Sequence, residues 1–288
     1  MEFIKDIFID TVIDGLKMLP FLFAAYLIIE YIEHKTKGKL ENFLQRFGKF
    51  GAIGGGLLGC VPQCGFSVMA SNLFAGKIIT AGTLAAVFIS TSDEAIPFLL
   101  ANPSKAAVIF PVLLLKVIIA VVTGLCMDFF GKNFFDKKSD TKHNIEELCS
   151  HDGCRCHSGG GILKSALHHT INIFVFILII SFLLNSVVEL IGKENLGKIL
   201  MNGSFLQPVL AAVIGFIPNC AVSVLLADLY ISGTLSLGSM IAGLCTGAGV
   251  GLIVLFKVNK NYKENLKILL CIFISAVLSG IIIQSLGF

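Results

Sequence analysis

Two thiols, Cys64 and Cys220, stand in the same setting 156 positions apart, each behind a proline and an amide in an apolar, glycine-rich stretch. The first stretch is "LGCVPQCGFS" at 58–67 and the second "IGFIPNCAVS" at 214–223. Paired thiols are soft ligands that favour zinc, cadmium or trivalent arsenic. Oxygen ligands suit harder divalent ions such as manganese. The chain offers these too, in the amides Gln63 and Asn219, the hydroxyls Ser67 and Ser223, and the adjacent carboxylates Asp93 and Glu94 of "ISTSDEAIP". Neutral thiols beside amides also suit an uncharged arsenous species. Ligand chemistry therefore points to a metal or metalloid ion, bound through Cys64, Cys220, Asp93 and Glu94, and leaves its identity open.

A second group of ligand-type residues lies at 149–157, "CSHDGCRCH": Cys149, His151, Asp152, Cys154, Cys156 and His157. The spacing lacks the C-x2-C pair of a structural zinc site, so the composition predicts a flexible metal-contacting tail ahead of the "SGGG" linker. His168 and His169 follow, where the next apolar run begins.

The elements that must hold these residues follow from composition. With 288 residues, 55% of them hydrophobic and 14% charged, and a mean hydropathy of +0.87, the chain has more apolar surface than a water-facing globule can bury. It reads as an integral membrane protein. Apolar runs at 12–31, 81–100, 106–127, 171–190, 235–256 and 268–285 have the length needed to cross a hydrocarbon core of about 30 Å. The first run carries Asp14 and Lys17 and no small-x-small cleavage pattern, so it is expected to be a retained span, with the mature chain starting near Met1. A net charge of +3 spread over loops implies no nucleic-acid partner, and the nine cysteines do not by themselves fix a redox compartment.

Between these runs, 48–76 and 204–232 are apolar, centred on Pro62 and Pro218, and too short for two crossings. Proline lacks the amide donor and disfavours helix in the residue before it, so each segment should form two half-length helices. Each proline is expected in the first turn of a half-helix, whose free amides make that tip partly positive. The halves align without a gap, 59–90 on 215–246. Matches fall at Gly59/Gly215, Pro62/Pro218, Cys64/Cys220, Ser67/Ser223, Val68/Val224, Leu73/Leu229 and Gly82/Gly238, with Gln63 opposite Asn219 and Asn72 opposite Asp228. The chain is thus a duplicated unit of span, broken pair, span, span. The span after each pair should itself unwind, at Ser90–Glu94 before Pro97 in one half and in "LCTGAGVG" in the other. A carboxylate at the centre of a helix costs about 2.5–3.5 kcal/mol on insertion scales, which places Asp93 and Glu94 in a cavity. At the outer interface they would instead meet headgroups or water. Lys116, in mid-span, is expected either to pair with one of these carboxylates or to serve transport itself.

Basic residues accumulate at 35–49, 132–164 and 257–267, and all three loops lie inside if each unit crosses the membrane an odd number of times. An odd unit inverts its duplicate. The expected fold is an all-α polytopic membrane protein of two inverted-topology repeats, each with three full spans and one broken helix pair, ten helical segments in total. Residues 1–130 form the first repeat, 131–163 a cytoplasmic Cys/His-rich linker and 164–288 the second repeat, with both termini outside the cytoplasmic (inner) membrane. Inverted repeats with discontinuous helices build midplane sites in secondary transporters. No G-x4-G-K-[ST] loop is present to drive a pump, so concentrative export would draw on a proton or sodium gradient. No enzyme activity and no cofactor is expected; oligomeric state is not legible. The alternative is a membrane thiol-disulfide oxidoreductase using Cys60 and Cys64, against which Phe216 replaces Cys60 in the duplicate.

The "GCVPQCGFSV" and "GFIPNCAVSV" pair, the "STSDEAIP" stretch and the Cys/His-rich linker resemble the ten-helix heavy-metal exporter family, some of whose members carry the labels arsenic efflux permease or manganese transporter. The resemblance covers nearly the whole chain. It implies metal or metalloid export from a prokaryotic cytoplasm, and it carries functional roles onto Pro62, Gln63, Cys64, Asp93, Glu94, Pro218, Asn219 and Cys220.

Overall fold

The computed structural model describes residues 51–60, 65–91, 95–100, 108–130 and 206–286, together with individual positions within 12–27 and 167–186. Every element among these described residues is a helix: α1 (Gly51–Leu58), α2 (Gly65–Ala75), α3 (Ala81–Ser90), α4 (Ala95–Leu100), α5 (Ile109–Phe130), α6 (Gln207–Gly215), α7 (Cys220–Ile231), α8 (Leu237–Thr246), α9 (Val250–Val258) and α10 (Tyr262–Ser285). Described positions in 12–27 and 167–186 are helical as well.

The duplication holds at the level of elements. Shifting α3 by 156 residues reproduces α8 end for end, and the same shift carries α2, α4 and α5 onto α7, α9 and α10 within a few residues. At 1.5 Å per residue the helices beside the two prolines are about 12–18 Å long, half a bilayer, as their interrupted sequences predict. The spans that follow are interrupted too. α3 ends at Ser90 and α4 begins at Ala95; α8 ends at Thr246 and α9 begins at Val250, with Gly249 at φ +55°. Among the described residues, Ile109–Phe130, Leu237–Val258 (α8 and α9 together) and Tyr262–Ser285 are long and apolar enough to cross a membrane.

Two half-helices end in the same C-terminal device. The amide of Ile78 bonds the Leu73 carbonyl at 2.8 Å and that of Thr234 bonds Leu229 at 3.0 Å, with Lys77 and Gly233 in the left-handed region at φ +55° and +76°. These are Schellman closures. Lys77 carries a Cβ that this conformation disfavours, whereas Gly233 does not. A Cβ on Gly233 meets nothing within 4 Å. Gly233→Ala is therefore expected to cost about 1 kcal/mol through backbone conformation alone, and Lys77→Gly to be neutral or stabilising. Thermal unfolding in detergent checks the opposite signs.

Helix packing within each repeat rests on small residues. α3 presents Gly82 and Ala86, and α5 answers with Gly124; in the second repeat Gly238 and Ala242 meet Gly280. A Cβ on Gly124 would lie 2.7 Å from the Gly82 carbonyl oxygen, and one on Gly280 would lie 2.8 Å from that of Gly238. Membrane helices approach closely through such small-x-x-x-small faces because lipid supplies no hydrophobic drive between them. The opposite faces are greasy: Leu114, Ile118, Val122 and Leu125 on α5 and Leu266, Leu270, Ile274, Leu278 and Ile282 on α10 are exposed at helical spacing.

The repeats also exchange contacts. α2 packs on α9 and α7 packs on α4, so each half-helix beyond a proline leans on the second part of the other repeat's interrupted span.

Three expected boundaries move. The run expected at 106–127 is helical over Ile109–Phe130, since Pro111 is tolerated only in a first turn. The last helix starts at Tyr262 rather than 268, because the Asn261 side chain accepts from the Glu264 amide and donates to the Glu264 carboxylate at 3.3 Å, a reciprocal cap that takes the charged turn into the helix. Pro218 lies ahead of the first turn of α7 rather than within it. Asn219 is the N-cap there, extended at φ −143°, its side chain accepting from the Ala221 amide at 2.8 Å.

Candidate functional site

The interruptions of the two repeats meet at one side chain. Lys116 is fully buried in α5, 3.5 residues and so about 5 Å from the middle of that 22-residue helix. Its Nζ donates to the Thr91 carbonyl at 2.5 Å and to the Leu244 carbonyl at 2.9 Å. Thr91 is the C-cap of α3, and Leu244 lies in the last turn of α8. Both carbonyls are available because their helices stop. The Ala248 amide, which an unbroken helix would give to Leu244, donates to Thr246 at 2.8 Å instead. At Thr91 the backbone amide and Oγ1 both turn back to the Val87 carbonyl, leaving the Thr91 carbonyl outward.

Magnitudes support this reading of a buried amine. A lysine at a helix centre costs about 2.5–3.5 kcal/mol on insertion scales. Hydrogen bonds to a charged donor return about 1.5–3 kcal/mol each. Two of them, made at the negative ends of two helix dipoles, offset the burial. The matching position in the second repeat is Ile272, also buried, so one ammonium serves both interruptions.

The same α8–α9 interruption is closed from its other side by α2. A Cβ on Gly251 would sit 2.6 Å from both Cβ and Oγ of Ser67, and Ser71 Oγ donates to the Gly251 carbonyl at 2.7 Å and to the Ser67 carbonyl at 2.9 Å. Ser67 and Lys116 thus flank one break, Ser67 just after it and Lys116 just before it. Beside Ser71, Asn72 is fully buried and donates to the Val68 carbonyl at 2.9 Å, while its counterpart Asp228 is exposed. In the second repeat Asn219 and Ser223 are both buried, one capping α7 and the other in its first turns; Cys220 opens that helix.

Several expected site residues lie outside the described residues: Pro62, Gln63, Cys64, Asp93, Glu94 and the cluster Cys149, His151, Asp152, Cys154, Cys156 and His157. Pro97 falls within α4. Among the described residues no group of three or more His, Cys, Asp or Glu side chains is placed to hold a metal ion. Cys60 is a free thiol, with Sγ donating to the Gly56 carbonyl at 3.5 Å. Cys245, a buried free thiol directly after Leu244, escaped sequence reasoning because its counterpart is Ile89. The signal that would have found it is its place in "LCTGAGVG", where the helix had to end.

No curated protein and no solved structure is similar enough to match the chain. A family model described as "Putative, 10TM heavy-metal exporter" matches residues 4–190, 146–243 and 168–287, most of the sequence. With apolar helices long enough to span a bilayer and interrupted spans joined in mid-helix, the chain belongs to this family of ten-helix heavy-metal exporters.

Proposed function

We propose that the chain is a secondary transporter, not an enzyme, that exports a trivalent arsenic species or a divalent metal such as manganese from the cytoplasm, driven by a proton or sodium gradient. The observation that carries this reading is the Lys116 junction, which ties the interruption of one repeat's span to that of the other near the middle of a membrane helix. Irregular backbone at that depth is tolerated only where it lines a protein-buried or wet cavity, the setting of midplane substrate sites. In this reading Cys64, Cys220, Gln63, Asn219, Ser67 and Ser223 contact the ion, and Asp93 or Glu94 takes up the coupling proton. The transported ion is substrate, and no resident cofactor is required.

The reciprocal packing of α2 on α9 and α7 on α4 supports two repeats, 1–130 and 164–288, related by a twofold axis in the membrane plane. With the basic loops inside, the linker 131–163 faces the cytoplasm of the inner membrane, where its cysteines and histidines meet the ion before transport, and both termini lie outside.

Expression in a metal-sensitive host, challenged separately with arsenite, manganese, zinc and cadmium, should lower the intracellular content of at least one. Unchanged content for all four sinks the reading. For the ion that responds, Cys64→Ser and Cys220→Ser should each cut export about ten-fold or more, a difference of about 1.4 kcal/mol, while Cys60→Ser stays near the parent. The reverse pattern, with Cys60 essential, would favour thiol-disulfide exchange. Uptake into inverted vesicles that ignores an imposed pH gradient would remove proton coupling and leave sodium to be tested in the same way.

A further inference from the structure

The Lys116 junction has the form of an occupied cation site. Two main-chain carbonyls, those of Thr91 and Leu244, lie 2.5 and 2.9 Å from Nζ, each at the C-terminal end of a different helix. Helix C-termini present unsatisfied carbonyls and a partial negative charge, and cations are favoured there. Neither repeat builds the site alone. α3 belongs to the first and α8 to the second, and the carbonyls come together only because both helices stop at equivalent places. The nitrogen that fills the site is tethered to a third helix, α5, and the equivalent position on α10 carries Ile272, which offers no charge.

We propose that Lys116 is a tethered cation filling a monovalent-cation site that the two repeats build jointly, and that a small ammonium ion can take its place when the side chain is removed. The lysine is a positioning residue. It holds the two interruptions at a fixed separation, so the segments that bracket them keep their relation to each other. Shortening the side chain to alanine leaves the two carbonyls facing a space once held by three methylenes and an ammonium, room for methylammonium to enter with its N–H donors toward the same oxygens.

The experiment uses the purified full chain in detergent, with thermal unfolding as the readout, so it needs no knowledge of the transported ion. Lys116→Ala should unfold at a lower temperature than the parent. Methylammonium should raise the midpoint of this variant in a saturable manner and leave the parent unchanged. Tetramethylammonium, which has the charge but no N–H donor, should do neither. Equal effects of the two ions on Lys116→Ala, or equal effects of methylammonium on variant and parent, would overturn the proposal. Should Lys116→Ala fail to fold, the pair Lys116→Arg and Lys116→Met decides. The arginine keeps a cationic donor and should unfold near the parent, whereas methionine fills the volume without charge and should unfold lower. A methionine variant as stable as the parent would show that Lys116 acts by packing. The functional consequence rests on the transporter reading: export by Lys116→Met should fall at least ten-fold and by Lys116→Arg much less. If the parent exports none of the four ions, the transporter reading fails, while the unfolding experiment still decides the cation site.

Discussion

Gly82→Ala and Gly238→Ala are each expected to cost about 3 kcal/mol or more and to leave little folded protein in detergent, while Gly54→Ala leaves the yield unchanged. A single methyl group is added in every case. At Gly82 it would run into the Gly124 carbonyl oxygen and the Asp128 carboxylate, and at Gly238 into the Gly280 carbonyl oxygen and, at 2.8 Å, the Gln284 amide nitrogen. These neighbours are backbone, or a side chain fixed by its own bonds. Asp128 accepts from Thr80 Oγ1 at 2.9 Å and from the Gly82 amide at 3.0 Å, so it cannot swing away without uncapping α3. Relief requires α3 to separate from α5, or α8 from α10, which opens the close contact all along the facing small residues. Overpacking usually costs about 1–3 kcal/mol, and main-chain partners put these sites at the upper end. At Gly54 a Cβ meets nothing within 4 Å. Size-exclusion profiles of the three variants test the claim; comparable losses at Gly54 and Gly82 would show that glycine flexibility, and not close approach, sets the cost.

That comparison shows how far the sequence could be read. Proline and glycine punctuation marks the half-length helices and the helix ends at Ser90 and Thr246, because the physics of these residues is local. The duplication was legible over 59–90 and 215–246, yet it extends through Gly124/Gly280 and Ala120/Ala276, beyond the end of that alignment. Small residues inside apolar runs look alike in sequence, and only a partner helix distinguishes a contact from a lipid-facing position. Pro218 lies two residues ahead of Cys220, the first residue of α7, because the Asn219 side chain caps that helix, and an asparagine that caps looks the same in sequence as one that does not. Lys116 stands out as a charge in mid-span, but the two carbonyls it bonds at Thr91 and Leu244 lie 25 and 128 residues away, and no periodicity connects them.

The repeats diverge where their α3 and α8 helices are anchored. Thr80 and Ser236 cap these helices through matching bonds to the Thr83 and Ser239 amides, both at 3.1 Å. Asp128 then secures the first cap. In the second repeat the anchor comes from Gln207 on α6, whose Oε1 accepts from the Ser236 amide and Ser239 Oγ while Nε2 donates to the Thr234 carbonyl. The counterpart of Gln207 is Gly51, where a Cβ would strike Thr83 Oγ1. One architecture is thus kept with its polar anchor supplied by the last helix in one half and the first half-helix in the other.

Gly251→Ala should reduce export at least ten-fold, and Ser67→Gly should restore part of it. The two residues are 184 positions apart, in different repeats, and touch where α2 meets the start of α9. The added methyl would lie 2.6 Å from Ser67 Cβ and Oγ and 2.7 Å from its carbonyl carbon. Removing the Ser67 side chain clears the first two contacts and leaves the third, so relief is partial. Ser71, which bonds the Gly251 carbonyl at 2.7 Å, keeps the helices from sliding apart to accommodate the clash. Displacement is therefore passed to Gly249 and Ala248, the interruption that Lys116 grips from its other end through Leu244. In a double-mutant cycle on thermal stability, contacting residues couple by about 0.5–3 kcal/mol, whereas distant ones add within about 0.5 kcal/mol. Strict additivity between Gly251→Ala and Ser67→Gly would mean that α2 and α9 do not touch as described, and the joint site between the repeats would lose its wall.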